Sequence, residues 1–157
     1  MTTQNKRYSR PLSISLLVSF LLLLFVLPIQ AGNGRIACID GEAAGFSCNN
    51  VDLLAHLPLS AIGGDADNGV LASDIWGWTS PNSGKRYALV GLRNATSFVD
   101  VTDPLNPVYL GKLPAQGTAL SPYRDFKVYQ NYAFIVGDAP FVNHGMQVFD
   151  LLKLDSA

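Results

Sequence analysis

The sequence predicts an all-β protein, and three observations lead to that prediction. Short runs of β-branched and aromatic residues recur from residue 73 onward, separated by turns rich in Gly, Asn, Asp and Pro. The 157 residues include 14 Gly and 9 Pro, a composition typical of chains with many tight turns. The run from Tyr87 to Leu92 returns as a similar run from Tyr132 to Gly137, 45 residues further on. A repeat of this length built from hairpins is typical of β-propeller blades.

The composition excludes several classes of protein. Hydrophobic residues make up 48% and charged residues 15% of the chain, which is not the composition of a disordered protein. The net charge is −1, and it becomes −4 without the first 31 residues, because these carry three of the 11 basic residues and none of the 12 acidic ones. Such a charge provides no basis for binding nucleic acid or an anionic membrane surface.

Residues 1–31 have the pattern of a secretory signal peptide. Lys6, Arg7 and Arg10 precede an apolar run from residue 12 to 29, and the small residue Ala31 marks the expected cleavage site. The apolar run is also close to the shortest length that spans a bilayer, so an uncleaved membrane anchor is the alternative. We expect a secreted or cell-surface protein in either case.

Residues 32–72 form a segment that contains both cysteines of the chain, Cys38 and Cys48. A closely spaced pair in an exported chain predicts a disulfide. A metal-binding pair is the alternative, but no second Cys or His pair completes four ligands. Residues 49–60 fit either a short helical turn or an edge strand, and Pro58 ends both.

Residues 73–157 are predicted to form one complete propeller-like blade of four antiparallel strands and most of a second, an incomplete ring. The first blade covers residues 73–114 and the second covers residues 123–157. The predicted strands are Asp74 to Trp78, Tyr87 to Leu92, Ser97 to Val101 and Val108 to Leu113 in the first blade, and Arg124 to Tyr129, Tyr132 to Val136 and Met146 to Leu151 in the second.

Both faces of the predicted strands are apolar. In the strand from Tyr87 to Leu92, for example, the residues that point to either side are hydrophobic or Gly. A sheet with one solvated face alternates apolar with polar residues, so this pattern indicates that both faces are covered. Stacked blades cover both faces, and a plain β-sandwich explains the pattern less well.

Six segments, in this order and spacing, resemble the choice-of-anchor B family, whose members carry LVIVD-type β-propeller repeats. The segments are Cys38 to Leu54, Asp74 to Trp78, Tyr87 to Leu92, Phe98 to Pro104, Arg124 to Tyr129 and His144 to Leu151. The resemblance covers the chain from about residue 38 to 154 and implies an exported, surface-associated propeller. The biochemical activity of the family is undefined, so the resemblance implies no catalytic residues.

The chain is much shorter than members of that family. One blade and most of a second cannot bury the outer faces at both ends of the stack. We therefore expect the N-terminal part of a longer protein, with a propeller assembled from several copies as the alternative. The outer face of the second blade is expected to expose apolar side chains, which makes the chain poorly soluble or oligomeric on its own.

Four residues are candidates for a ligand site. Asp74 and Asp125 start the two predicted inner strands, 51 residues apart, where they are expected to line a central channel. Arg124, like Lys127, is placed to pair with them. His144 precedes a strand and is the most enzyme-like residue, although a histidine in a turn is the simpler interpretation.

Other residues have simpler interpretations. Asp100 and Asp150 are expected to accept backbone hydrogen bonds in the turns after their strands. Trp76 and Trp78 are assigned to the core in preference to a sugar-stacking platform. Asn94 begins an Asn-Ala-Thr sequon, an N-glycosylation site on a turn expected to be exposed.

A calcium-like loop at residues 65–69 lacks its third acidic ligand and its distal Glu, which favours an ordinary turn. The sequence therefore assigns no catalytic residue, no metal and no cofactor.

The function expected from these observations is an exported module that binds a protein or a glycan. The alternative is a secreted hydrolase with its site in further blades or near His144 and Asp125. Nucleic acid is not an expected partner, and membrane contact is expected only through the signal or an anchor.

Overall fold

The computed structural model describes residues 34–117, 120–139 and 143–157, which leaves the predicted signal peptide outside the described residues. The described chain is all-β, with three antiparallel sheets, none of which closes on itself. The smallest sheet pairs β1 (Glu42–Ala43) with β2 (Phe46–Ser47). The other two correspond to the predicted repeat and are called the first and the second large sheet.

Residues 49–58 form neither the short helical turn nor the edge strand that the sequence left open. A single bridge joins Ile36 to Leu53, and the disulfide closes the β1–β2 hairpin. Pro58 precedes a short 3₁₀ helix, Leu59–Ile62, and Gly63 ends it with a φ of 81°. Pro58 therefore comes before a helical turn and does not end one, which corrects the prediction.

The first large sheet has four strands in sequential order. They are β3 (Ala72–Thr79), β4 (Arg86–Leu92), β5 (Ala95–Asp100) and β6 (Val108–Pro114). Each strand pairs with the next through a short connection, and the turn between β4 and β5 is only the two residues Arg93 and Asn94.

The second large sheet has three strands, also in sequential order. They are β7 (Tyr123–Tyr129), β8 (Tyr132–Asp138) and β9 (Met146–Asp150). A second 3₁₀ helix, Leu151–Ser156, follows β9 directly.

The strands of the two large sheets pair in the same register, so that each residue of the second sheet has an equivalent in the first. Trp78 pairs with Tyr87 in the first sheet as Tyr129 pairs with Tyr132 in the second. Leu89 pairs with Phe98 as Phe134 pairs with Val148. The repeat predicted from residue spacing is therefore present in the pairing of the strands.

The sheets pack face to face around a single main core. The face of the first sheet that carries Trp78, Tyr87, Leu89 and Phe98 is called its front, and the face of the second sheet that carries Phe126, Ala133, Ile135 and Phe149 is called its back. These residues contact one another, and all but the partly buried Phe149 are buried. At Gly91 the sheets approach so closely that a Cβ atom would lie 3.0 Å from the Arg124 carbonyl oxygen.

The second 3₁₀ helix closes one side of this core. Leu151 and Leu154 are buried in it. Asp155 anchors the helix to the first sheet, because its carboxylate accepts hydrogen bonds from Ser80 Oγ at 2.6 Å and from Tyr87 Oη at 2.8 Å.

The front of the second sheet is open to solvent, as the sequence predicts. It is the face opposite to the core, and no described element packs on it. Its exposed apolar side chains are Tyr129, Tyr132, Val136, Met146 and Val148.

Candidate functional site

A pocket of about 370 Å³ opens where β3 and β7 begin. Ser73 and Asp74 line it from the first sheet, and Tyr123 and Asp125 line it from the second. The structure thus brings together the two aspartates that the sequence places 51 residues apart. The pocket lies at the edge of both sheets where their first strands, β3 and β7, run side by side.

The two aspartates have different roles in this pocket. Asp74 accepts a hydrogen bond from the Ile75 backbone N–H at 2.8 Å and another from the Phe126 backbone N–H at 3.3 Å. Asp74 therefore links β3 to β7, and these hydrogen bonds use part of its accepting capacity. Asp125 is exposed, and its carboxylate accepts no hydrogen bond from the described residues, so it remains open to solvent.

Arg124 does not pair with these aspartates, which corrects the prediction. Side chains alternate along a strand, so Arg124 leaves β7 on the side opposite to Asp125. It is fully buried, and its Nε donates to the Leu92 carbonyl oxygen at 2.9 Å. Burial lowers the pKa of the guanidinium below its usual value. Its Nη2 atom has no hydrogen-bond partner among the described residues.

His144 lies beside Arg124, away from the pocket, and is only 5% exposed. Its Nε2 is 2.8 Å from Nη1 of Arg124, and its Nδ1 is 3.0 Å from the Gly145 carbonyl oxygen. A guanidinium can only donate, so Nε2 accepts and the proton resides on Nδ1. Both ring nitrogens are thereby engaged within the protein.

The same cluster joins the last strands of the two large sheets, β6 and β9. Nε2 of His144 also lies 3.1 Å from Gln147 Oε1, and the Gln147 amide donates to the Pro114 carbonyl oxygen at 2.9 Å. Gln147 of β9 thus links that strand to β6, and His144 packs beside it and binds Arg124. This is the role of a turn histidine in a buried network, and no contact among the described residues places a nucleophile beside the ring.

Lys127 does not pair with the aspartates either. Its Nζ lies 4.6 Å from the centre of the Trp76 ring, a cation–π contact between the two sheets.

Trp78 is buried, stacks on Tyr87 with ring centres 5.7 Å apart, and donates from Nε1 to the Gln130 carbonyl oxygen at 3.0 Å. The assignment of both tryptophans to packing between the sheets is confirmed.

The turn roles of two further aspartates are confirmed. Asp100 accepts from the Thr102 backbone N–H at 2.8 Å, and Asp150 accepts from the Leu152 backbone N–H at 3.1 Å. These equivalent residues perform the same task at the ends of β5 and β9.

The glycosylation sequon lies on a partly buried turn. Oδ1 of Asn94 and Oγ1 of Thr96 are both buried, without a hydrogen-bond partner among the described residues. Thr96 is 0% exposed and Asn94 is partly exposed. The sequon is less exposed than expected because Ala95 and Thr96 belong to the buried strand β5, and glycosylation at Asn94 stays a prediction.

Sequence reasoning missed four residues that line the pocket. Ala72, Ser73, Pro122 and Tyr123 stand within three positions of the two aspartates in the chain. The only sequence signal for these residues was that they lie close to Asp74 or Asp125 in the chain. Residues at the start of β3 and of β7 lie at the same edge of the two sheets as these aspartates. The exposed Tyr123 ring is the most important addition, because it gives the pocket an aromatic surface.

No metal site forms within the described ranges: no group of three or more His, Cys, Asp or Glu side chains comes together there. The calcium-like loop is an ordinary turn, in which Asp65 accepts from the Asn68 backbone N–H at 3.2 Å and from its side-chain amide at 2.7 Å. These hydrogen bonds hold the pKa of the Asp65 carboxyl below its usual value.

The predicted disulfide between Cys38 and Cys48 is present. A disulfide of this kind is typical of an oxidising, extracellular environment. Among the residues whose structure is described, no helix is both long and apolar enough to cross a bilayer.

No protein-family model matches this chain, and neither a curated protein nor a solved structure does. The fold and the pocket are therefore interpreted from the chain's own residues.

Proposed function

We propose that this chain is an exported binding module that holds a protein or glycan partner at the pocket between the starts of β3 and β7. In this proposal residues 1–31 are a signal peptide cleaved after Ala31, and the two large sheets are blades of a propeller of the choice-of-anchor B type. The observation that supports the proposal most strongly is the pairing of Asp125 with Tyr123 in one solvent-accessible pocket.

The chemistry of the pocket suits a polar ligand. The Asp125 carboxylate, which has no hydrogen-bond partner among the described residues, can accept hydrogen bonds from sugar hydroxyls or from a basic side chain. An exposed tyrosine ring offers a flat apolar surface and a phenolic hydroxyl, the combination that favours tyrosine in binding sites. Asp74 fixes the spacing of the two strands that carry these groups, so the pocket is formed before the ligand arrives.

The shared register of the two large sheets supports the propeller part of the proposal. Blades of a propeller repeat one antiparallel sheet around an axis, with the first strand of each blade nearest that axis. In this chain β3 and β7 are both first strands and lie side by side. The pocket at their starts would then lie at one end of the axis.

No observation in the described part of the chain favours the hydrolase alternative. His144 is buried and both of its ring nitrogens are engaged, so it is not placed to activate a nucleophile or a water molecule. Asp125 lies in the pocket, on the other side of β7 from His144.

Binding of the labelled protein to a glycan array and to an array of basic and neutral peptides tests the proposal. We expect binding to one of the two classes, with an affinity loss of about tenfold or more in Asp125→Asn and in Tyr123→Ala, because each removes a main contact of the pocket. Both residues are exposed, so neither change is expected to affect folding.

Asp67→Asn is the matched control, since it removes an exposed carboxylate from a loop away from the pocket. Binding that is equal in Asp125→Asn and in the unmodified protein would contradict the proposed site. A hydrolytic activity that disappears in His144→Ala would support the alternative instead.

A further inference from the structure

The contact that Asp74 makes between the two large sheets shows what a carboxylate at this place in the repeat binds. Its Oδ2 atom accepts a hydrogen bond from the backbone N–H of Phe126 at 3.3 Å. Beside it, Ser73 Oγ accepts a hydrogen bond from the backbone N–H of Arg124, also at 3.3 Å. Both donors belong to β7, the edge strand of the second sheet. Side chains of β3 thus bind the backbone of an extended strand that lies beside them.

Asp125 is the equivalent of Asp74 in the second large sheet. The residues that follow them in the chain, Ile75 and Phe126, occupy the same place in the register of the two sheets. Asp125 lies on the front of the second sheet, and its carboxylate has neither a hydrogen bond nor an ion pair among the described residues. The open side of β7 therefore presents the same group as β3 does, with its accepting capacity free.

The side chains around Asp125 suit a protein segment better than a sugar. Val136 pairs with Asp125 across the sheet, and Met146 pairs with Val136. Both are exposed, and so is Tyr123, two positions before Asp125 on the same face. A neutral sugar carries hydroxyl groups on most of its carbons, and covering Val136 and Met146 with them costs free energy unless each hydroxyl finds a hydrogen bond. A peptide strand covers them with apolar side chains instead.

We propose that the pocket binds an extended segment of a protein partner, and that Asp125 accepts a backbone N–H of this segment as Asp74 accepts that of Phe126. The inference rests on the proposed function, since it concerns the same pocket, and it selects a protein over a glycan. A hydrogen bond from a backbone N–H to a carboxylate is charge-assisted and does not depend on the side chains of the partner. Contacts to the main chain provide affinity in peptide recognition of this kind, and side-chain contacts provide specificity.

Two residues make the site at Asp125 different from the site at Asp74. Buried Arg124 stands in place of Ser73, so the second hydrogen bond is not repeated. Val136 stands in place of Gly91, where a Cβ atom would lie 3.0 Å from a carbonyl oxygen of β7. A segment bound at Asp125 therefore lies further from the sheet than β7 does. We expect Val136→Gly to permit the closer approach and to strengthen binding about threefold.

A synthetic peptide with the sequence of residues 121–130, acetylated and amidated, is the probe, because it contains the strand that Asp74 binds. Titration of this peptide into the isotope-labelled exported chain is expected to shift the backbone NMR signals of the pocket residues 72–74 and 122–125 in a saturable way. N-methylation of the phenylalanine that corresponds to Phe126 removes the donor, and we expect it to weaken binding about tenfold.

N-methylation at the lysine that corresponds to Lys127 is the matched control for changes in peptide conformation. Successive N–H groups of a strand point to opposite edges, so this N–H does not face Asp125, and its loss is expected to have little effect. Asp125→Ala is expected to weaken binding of the unmodified peptide about tenfold and to abolish the effect of the methylated phenylalanine, because both changes remove one contact. Asp67→Ala, which removes an exposed carboxylate away from the pocket, is expected to bind as the unmodified protein does.

The proposal is wrong if the peptide causes no saturable shift, if methylation at the two positions has equal effects, or if the methylated phenylalanine still weakens binding to Asp125→Ala. A Val136→Gly variant that melts cooperatively and binds no better would also contradict it. A glycan that binds on the array and depends on Asp125 would keep the proposed pocket and overturn the choice of a protein partner. An array with no ligand of either class counts against the proposed function, and the peptide titration decides the inference by itself.

Discussion

The two large sheets share a register but not an environment. The first sheet is covered on its front by the second sheet and partly on its back by the N-terminal segment. The second sheet is covered on its back only. As a result, the residue pair Leu89 and Phe98 is buried, whereas Val148, at the position of Phe98, is exposed.

This comparison shows that the strand pattern alone does not decide burial in this fold. Apolar residues at equivalent positions form the core in one sheet and a solvent-facing surface in the other. Equivalent positions also differ in the size of side chain that fits. Gly91 permits the close approach of β7, whereas Val136, at the equivalent position of the second sheet, faces a side on which no described residue packs. What a position contributes to stability therefore depends on the neighbouring sheet.

The largest expected difference is between Phe98→Ala and Val148→Ala. Phe98 stacks on Phe149 with ring centres 4.6 Å apart and is 4% exposed, so we expect its truncation to cost about 3–5 kcal/mol of the free energy of unfolding. Val148→Ala is expected to cost about 0.5 kcal/mol or less, because the side chain is largely exposed. Denaturant titration measures both values.

Similar costs for the two truncations would show that the front of the second sheet is covered in solution. The comparison between the sheets would then be wrong.

The strands and their order were predictable from the sequence. β4, for instance, begins at Arg86 and ends before the turn Arg93-Asn94, and the apolar run between these limits predicted the strand. The link between Asp155 and the first sheet was not predictable, since its partners Ser80 and Tyr87 are about 70 residues away in sequence and no local pattern indicates the contact.

The candidate site was predictable in part. Asp74 and Asp125 lie in one pocket because equivalent strand starts are neighbours, and repeat spacing shows this equivalence. The predicted pairing of Arg124 with Asp125 was wrong, because adjacent residues of a strand point to opposite faces. Arg124 shares its face with Phe126 and Val128, which pack against the first sheet.

A smaller difference is expected between Tyr87→Phe and Tyr132→Phe. The Tyr87 hydroxyl is buried and donates to Asp155 at 2.8 Å, whereas Tyr132 is exposed in the equivalent position. We expect Tyr87→Phe to cost about 1–2 kcal/mol at pH 7 and Tyr132→Phe to cost almost nothing. Thermal melts of the two variants measure the difference.

The pH dependence provides a second measurement of the Tyr87 contact. Burial, followed by the hydrogen bond to Asp155 and its charge, raises the pKa of Tyr87 from 10.0 to about 12. In the unfolded chain the tyrosine ionises near pH 10, so the contribution of Tyr87 is complete below pH 10 and is lost as the pH rises towards 12. The stability advantage over Tyr87→Phe should shrink over that range, and an advantage that stays constant would contradict the assignment.

At the acid end the same contact depends on Asp155. Hydrogen bonds from Ser80 and Ser83, with a smaller effect from Tyr87, hold the pKa of Asp155 below its usual 3.8. This contribution is present above pH 3.8 and is lost as the pH falls below that value.

The smallest expected effect concerns a feature that the two sheets have in common. Asp100 and Asp150 each accept a backbone hydrogen bond from the residue two positions later, at 2.8 and 3.1 Å. Because the turns are local and do not depend on the neighbouring sheet, we expect Asp100→Ala and Asp150→Ala to cost similar amounts, about 0.5–1 kcal/mol each. Asn in either position retains an accepting oxygen and is expected to restore most of the loss. Denaturant titration of the four variants tests this, and a cost at Asp100 several times that at Asp150 would show that the covering of the first sheet influences even its turns.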